Sequence, residues 1–103
     1  MRKLTIIGAG ELGSRHLQSL ANLREAANIQ LVDPSEQALN TAKDRFEAVK
    51  GDTGQNISIE FVQDIKQLND SIDLCIIATS ANVRLMVLEN LLAAKKVKYI
   101  VFE

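Results

Sequence analysis

Gly8-Ala9-Gly10-Glu11-Leu12-Gly13 decides how the rest of the chain is read. It follows directly on Lys3-Leu4-Thr5-Ile6-Ile7, a short apolar run rich in β-branched residues. A continuous run of that length suits a strand buried on both faces. After it, Leu12, His16, Leu20 and Leu23 recur at helical spacing with Leu17 beside them, which predicts a helix from about Glu11 to about Glu25. A G-x-G-x-x-G is a weak signal alone, but between a strand and a helix each glycine has a physical task. Gly8 permits the tight turn out of the strand. Gly10, without a Cβ, lets a pyrophosphate approach the backbone, and Gly13 lets the helix pack close to the sheet. The helix start then offers unpaired N–H groups and a partial positive charge to phosphate.

Working outward, Ile29-Gln30-Leu31-Val32 reads as a second strand, stopped by Asp33-Pro34, with Ser35 placed to cap a helix whose apolar face is Leu39, Ala42, Phe46 and Val49. Lys50–Asn56 is polar, holds two glycines and reads as a loop. Ile57, Ile59 and Phe61 alternate with polar residues, as in a half-buried strand near a sheet edge. A short helical turn is expected around Asp64–Asn69. Asp73–Ala78 reads as a fully buried strand, and Asn82–Lys95 as a helix with Val83, Val87, Leu91 and Ala94 on one face and Leu88 and Leu92 beside it. Tyr99–Phe102 is the fifth strand. Lys95 and Lys96 are expected to complement the helix dipole. The alternation β-α-β-α-β-α-β-α-β implies a doubly wound parallel α/β sheet of the Rossmann kind, with spatial strand order 3-2-1-4-5.

Asp33 ends the second strand, where a dinucleotide fold places an acid to accept hydrogen bonds from the adenosine ribose hydroxyls. The same residue can also start the Asp-Pro-Ser turn. Its carboxylate would repel a 2′-phosphate and no Arg or Lys follows at once, so NAD is favoured over NADP. Ala78-Thr79-Ser80-Ala81-Asn82 follows the fourth strand, across the switch point from the glycine loop, and Thr79 and Ser80 are placed to line the nicotinamide side. Ser80 or Asn82 would serve equally as a helix cap.

Composition narrows the alternatives. The 103 residues hold 12 basic and 13 acidic side chains, so no basic excess exists to drive binding to nucleic acid or an anionic membrane. One Cys and one His exclude an internal disulfide and a Cys/His zinc site. The apolar start halts at Gly8 and Glu11, too short for a signal segment, and no run approaches a bilayer span; a reducing cytoplasm is the expected setting. Cys75, mid-strand, reads as a small core residue. His16 reads as a packed, hydrogen-bonded histidine and Arg15 and Arg84 as solvated surface. Asp64 and Asp70 read as surface or capping residues. Glu11 reads as a first-turn acid whose side chain faces solvent. No triad, metal cluster or paired carboxylates are seen, and no catalytic residue is assigned.

Taken together, Gly8-Ala9-Gly10-Glu11-Leu12-Gly13-Ser14-Arg15-His16-Leu17, Asp33, Ala78-Thr79-Ser80-Ala81-Asn82-Val83-Arg84 and Val101-Phe102-Glu103 resemble the N-terminal domain of the Gfo/Idh/MocA oxidoreductases over essentially the whole chain. The resemblance implies an NAD(P)-dependent, two-domain enzyme that acts mostly on sugars, cyclitols and their derivatives by hydride transfer. The last strand of that family typically leads into Glu-Lys-Pro. Glu103 matches the Glu, which lies near the nicotinamide ribose, so residues 1–103 are expected to be a nucleotide-binding domain cut from a longer parent. A histidine is common where Arg84 stands, so no family role passes to that side chain. The expected cofactor-binding set is Gly8, Gly10, Glu11, Leu12, Gly13, Asp33, Ala78, Thr79, Ser80 and Glu103. The small-molecule substrate would be met only in the full-length parent, which is expected to be a homo-oligomer, and the chain alone is expected to be inactive. The competing expectation is a non-catalytic NAD-sensing regulatory module with the same glycine loop and acid, followed by a methyltransferase.

Overall fold

The computed structural model describes residues 1–20, 26–49 and 57–103. Five strands alternate with helices: β1 (Arg2–Ile7), α1 (Glu11–Leu20), β2 (Ala27–Val32), α2 (Glu36–Val49), β3 (Ile57–Val62), β4 (Ser71–Ile77), α3 (Ala81–Ala94) and β5 (Lys96–Phe102). All neighbouring strands pair in parallel, in the order β3-β2-β1-β4-β5. This is the doubly wound arrangement expected from the alternation of short apolar runs and amphipathic stretches. The expected loop at Lys50–Asn56 and the extension of the first helix beyond Leu20 lie outside the described residues.

The strands alternate sides, and each side carries its own core. Leu4 and Ile6 of β1 and Ile29 and Leu31 of β2 face α1 and α2, packing on Leu17, Leu39, Ala42 and Phe46. Ile7, Val32, Cys75 and Ile77 face the other way, against Leu91 of α3 and Leu68. Strands buried on both faces need apolar residues at successive positions, which is why β1 reads as a continuous run; β4, expected to be fully buried, is buried only at Ile72, Cys75 and Ile77, with Leu74 and Ile76 half-buried and Asp73 exposed. β3 has a neighbour on one side only and keeps the alternating pattern of an edge strand.

The connection from β3 to β4 is not a full helix. It is a single 3-10 turn, Ile65–Gln67, capped at Asp64, whose side chain accepts from the Lys66 N–H while the Gln67 side chain reaches back. The expectation of a short helical turn and a capping Asp64 holds. A turn this short leaves part of one sheet face without a helix over it, and that part is polar. Asn28 donates to Ser58 Oγ at 2.8 Å and to Glu60 Oε1 at 3.3 Å. It accepts from Asn69 Nδ2 at 2.7 Å, while buried Gln30 accepts from the Asn69 N–H at 2.8 Å. Pairing of this kind satisfies groups that would otherwise be costly to bury.

Two expectations at the far end of α3 need correction. Lys95 is the C-cap of α3, as expected, but its ammonium turns to the 3-10 turn. Its side chain is only 6% exposed, and its ammonium donates to the Leu68 carbonyl at 2.8 Å and the Lys66 carbonyl at 3.3 Å while pairing with Asp70 at 3.2 Å. Lys95 thus ties the 3-10 turn to α3, and Lys96 already belongs to β5. Val87, Leu88 and Leu91 of α3 pack on the core as expected, but Ala94 and Leu92 do not. Leu85, Met86 and Leu92 are exposed together with Tyr99, Val101 and Phe102 of β5, so Leu92 lies on the outer surface. Among the described residues no helix is long and apolar enough to cross a membrane.

Candidate functional site

The C-terminal ends of four strands finish side by side and continue their ladder into the loops. The Gly8 N–H donates to the Val32 carbonyl at 2.8 Å, the Asp33 N–H to the Val62 carbonyl at 3.1 Å, the Ala78 N–H to the Ile7 carbonyl at 2.9 Å and the Glu103 N–H to the Ile77 carbonyl at 3.0 Å. Gly8, Asp33, Ala78 and Glu103 therefore form a row along one edge of the sheet, fixed by backbone hydrogen bonds rather than by flexible side chains.

The three motif glycines meet different surroundings. Gly8 has φ +105°, in the left-handed region, and a Cβ there would lie 2.9 Å from the Ala78 carbonyl oxygen. The glycine is required both for the turn and for contact between the two loops that flank the switch point. A Cβ on Gly13 would overlap the carbonyl oxygen of Gly8, so α1 begins against the turn it follows. A Cβ on Gly10 would meet nothing within 4 Å. Two of the glycines are thus demanded by the fold, whereas the third faces open space, as a backbone does where a ligand is to approach. The side chains of Glu11 and Leu12 lie outside the described structure; their backbone opens α1.

Asp33 braces the loop. Its Oδ2 accepts from the Ala9 N–H and its Oδ1 from the Ser35 N–H, each at 2.8 Å. One carboxylate thereby joins the glycine loop to the turn into α2, where Ser35 Oγ accepts from the Ala38 N–H as an N-cap. Each oxygen keeps a further lone pair for an additional donor. Across the switch point Thr79 Oγ1 is buried and has no hydrogen-bond partner. Ser80 occupies the N-cap position of α3 but makes no side-chain capping bond, so its hydroxyl is not spent on the helix.

These residues border an open cleft of about 830 Å³. Gly8, Gly10, Asp33, Ala78, Thr79 and Ser80 line it together; Gly13 and Glu103 do not. Its apolar walls come from Val32, Pro34, Ile65, Val83, Met86 and Val87, which the sequence reading did not single out as site residues. The signal was present, since Val83 and Val87 share a face of α3, but that face was read only as the apolar side of a helix, and Ile65 only as part of a short helical turn.

Glu103 sits beside the cleft in a polar group of its own. Its Oε1 lies 3.3 Å from His16 Nε2, within ion-pair distance but without the alignment of a hydrogen bond. Its backbone carbonyl accepts from the Arg84 guanidinium, which also lies 5.7 Å over the Phe102 ring. His16 is therefore not the hydrogen-bonded core histidine expected, and Arg84 is half-buried rather than solvated. Both reach the end of β5 because α1 and α3 start at the same sheet edge. Burial pushes the Cys75 thiol up to about 12, in keeping with a core residue rather than a nucleophile.

Residues 2–103 match the model of a family described as an oxidoreductase family with an NAD-binding Rossmann fold, Gfo/Idh/MocA. No curated protein matches the sequence. Among solved structures, a diketoreductase described for dual catalysis of dicarbonyl compounds shares 21% identity at a TM-score of 0.69, covering 99% of this chain and 40% of its own. Malate dehydrogenase from Salinibacter ruber shares 20% identity at a TM-score of 0.73, covering 98% of this chain and 36% of its own. A universal stress protein in complex with cAMP shares 14% identity at a TM-score of 0.53, over 99% and 96% of the two chains. At these identities the likeness is one of fold. The chain spans less than half the length of the diketoreductase and of the malate dehydrogenase.

Proposed function

The chain belongs to the Gfo/Idh/MocA oxidoreductases through an NAD-binding Rossmann domain, and from that premise we propose that it holds NAD(H) across its sheet edge for hydride exchange with a sugar or cyclitol derivative. The observation that carries this reading is the pairing of an open Gly10 with a braced Asp33. The first lets a pyrophosphate reach the backbone, and the second presents a fixed acceptor on the same cleft.

The residues present fit such a cofactor. The N–H groups at the start of α1 and the loop around Gly10 would take the pyrophosphate. Asp33 would accept from the adenosine ribose hydroxyls through its remaining lone pairs, and Ile65, Val83 and Val87 would wall the adenine. The unpartnered Thr79 hydroxyl and that of Ser80 would orient the nicotinamide end, with Glu103, held by Arg84 and beside His16, near its ribose. Bound nicotinamide supplies the hydride donor or acceptor. The contribution of this chain is to orient the cofactor and keep water from one side of it. None of its cleft residues is assigned as an acid or base for the substrate, so the 103 residues bind cofactor without turning over. Substrate, the acid–base group and oligomer contacts belong to a further domain of a cytoplasmic parent.

Titration with NADH, followed by its fluorescence, tests the reading. Saturable binding, tighter than that of NADPH because Asp33 repels a 2′-phosphate, is expected. Absence of saturable binding to either nucleotide would overturn it.

A further inference from the structure

The ends of β2 and β3 border the cleft together, at Pro34 and at Gln63. The Asp33 N–H donates to the Val62 carbonyl and holds the two strand ends side by side. The Gln63 side chain then crosses between them, its Nε2 donating to the Pro34 carbonyl at 3.4 Å. A carbonyl only accepts, so this bond decides which end of the amide faces Pro34. That leaves Oε1, with its lone pairs, as an acceptor on an exposed side chain. The backbone donors nearby are already engaged. The N–H groups of Gln63 and Asp64 both go to Gln67 Oε1, at 3.1 and 3.0 Å, and that of Lys66 goes to Asp64 Oδ1 at 2.9 Å. What the end of β3 offers the cleft is therefore acceptors: the Gln63 side-chain oxygen and the Asp64 carboxylate. Among the described residues the one cation on the cleft is Lys66, an exposed side chain whose ionic contacts are worth little in water.

We propose that Gln63 is a specificity-determining residue that reads the base of the dinucleotide: its Oε1 accepts from a 6-amino group, so the cleft takes adenine and discriminates against a 6-oxo purine such as hypoxanthine. The proposal rests on the dinucleotide reading above, which sets the base against Ile65 and the Val83–Val87 face of α3. Gln63 lies just ahead of Ile65 in the chain and lines the same cleft. Adenine carries an N–H donor where hypoxanthine carries a carbonyl oxygen. The donor gives Oε1 a hydrogen bond, whereas the carbonyl sets two acceptors against each other and leaves both unpaired. Ile65, Val83 and Val87 meet either base equally well, so the apolar walls supply affinity without discrimination. The bond to Pro34 gives the glutamine a fixed orientation that an exposed side chain otherwise lacks, and the proline ring restrains the backbone that carries the accepting carbonyl. Spacing within β3 gives no sign of this role, because the partner that orients the amide belongs to the end of another strand.

The test titrates the 103-residue chain with NADH and with reduced nicotinamide hypoxanthine dinucleotide, both followed by the fluorescence of the dihydronicotinamide they share. NADH is expected to bind about tenfold more tightly, the scale of one hydrogen bond exchanged for an unpaired acceptor. Gln63→Met keeps the length of the side chain and removes the acceptor, and is expected to bring the two affinities to within about twofold of each other. Equal affinities in the unaltered chain, or a ratio unchanged in Gln63→Met, overturn the assignment while the dinucleotide reading stands. If Gln63→Met fails to fold, as judged by circular dichroism, Gln63→Lys decides, since an ammonium donates where the amide oxygen accepted. Loss or reversal of the preference for NADH then supports the assignment, and an unchanged preference overturns it. Absence of saturable binding of either dinucleotide to the unaltered chain overturns both readings.

Discussion

Adding one methyl group at Gly13 and at Gly10 is the same chemical change with opposite expected results. At Gly13 the new carbon overlaps the Gly8 carbonyl oxygen, a backbone atom that cannot rotate away, in a turn whose φ of +105° and contact with Ala78 leave no slack. Forcing an atom into such a packed place costs typically about 1–3 kcal/mol, and the depth of this overlap puts Gly13→Ala at the upper end. Replacing glycine by alanine inside a helix returns about 1 kcal/mol. The net loss is therefore about 2 kcal/mol, or roughly 8–16 °C in melting temperature for a domain of this size. At Gly10 the methyl group meets nothing within 4 Å, and Gly10→Ala is expected to be neutral or to gain up to about 1 kcal/mol by restricting the unfolded chain. Thermal and urea melts followed by circular dichroism measure both. A Gly13→Ala variant as stable as the unaltered chain, or a Gly10→Ala variant destabilised as much as Gly13→Ala, would refute the assignment of Gly13 to the fold and Gly10 to the ligand.

Other consequences are open to measurement. Lys95→Met keeps the buried stem but strips the Lys66 and Leu68 carbonyls of their donor, and should lower stability by about 1–3 kcal/mol in urea melts. Asp70→Asn, at a side chain 98% exposed, should leave the midpoint nearly unchanged. The Cys75 thiol, raised from 9.0 to about 12, should resist thiol reagents at pH 8 in the folded chain and react at the rate of opening. Because its folded pKa is the higher one, its contribution to stability is complete below pH 9 and is lost as pH rises toward 12. The open edge of β5, with Tyr99 63% exposed and Val101 and Phe102 exposed beside it, should make the isolated chain self-associate. Light scattering over a concentration series checks this, and a strictly monomeric chain at high concentration would contradict it.

The sheet order was legible because β1 and β4 are continuous apolar runs, β3 alternates, and parallel crossovers have one hand; those constraints leave few topologies. The turn at Gly8, the close packing at Gly13 and the start of the next turn at Asp33 were legible because they are set by backbone geometry close to them in the chain. The misses share a different origin. Lys95 was read from its position at a helix end, whereas its ammonium is recruited by carbonyls 27 and 29 residues away in sequence. His16 and Arg84 were read from the faces of their own helices, yet both meet Glu103 because two helix starts and one strand end converge. The apolar walls of the cleft carried a local signal in the shared face of Val83 and Val87, but spacing alone does not say whether such a face meets a core or a cleft. Interactions within a few residues can be read from spacing, whereas those made by convergence of distant segments require the sheet to be built first.

The central claim is that a dinucleotide lies across the C-terminal ends of β1, β2 and β4 with its pyrophosphate on Gly10. Backbone amide spectra recorded while NAD is added to the isotopically labelled chain test it most directly. The account predicts saturable shifts at Gly8, Ala9, Gly10, Asp33, Ala78, Thr79 and Ser80, all of which are lost in Gly10→Val although its own spectrum remains that of a folded chain. Absence of shifts, or shifts confined to residues away from this edge or retained in Gly10→Val, would contradict it.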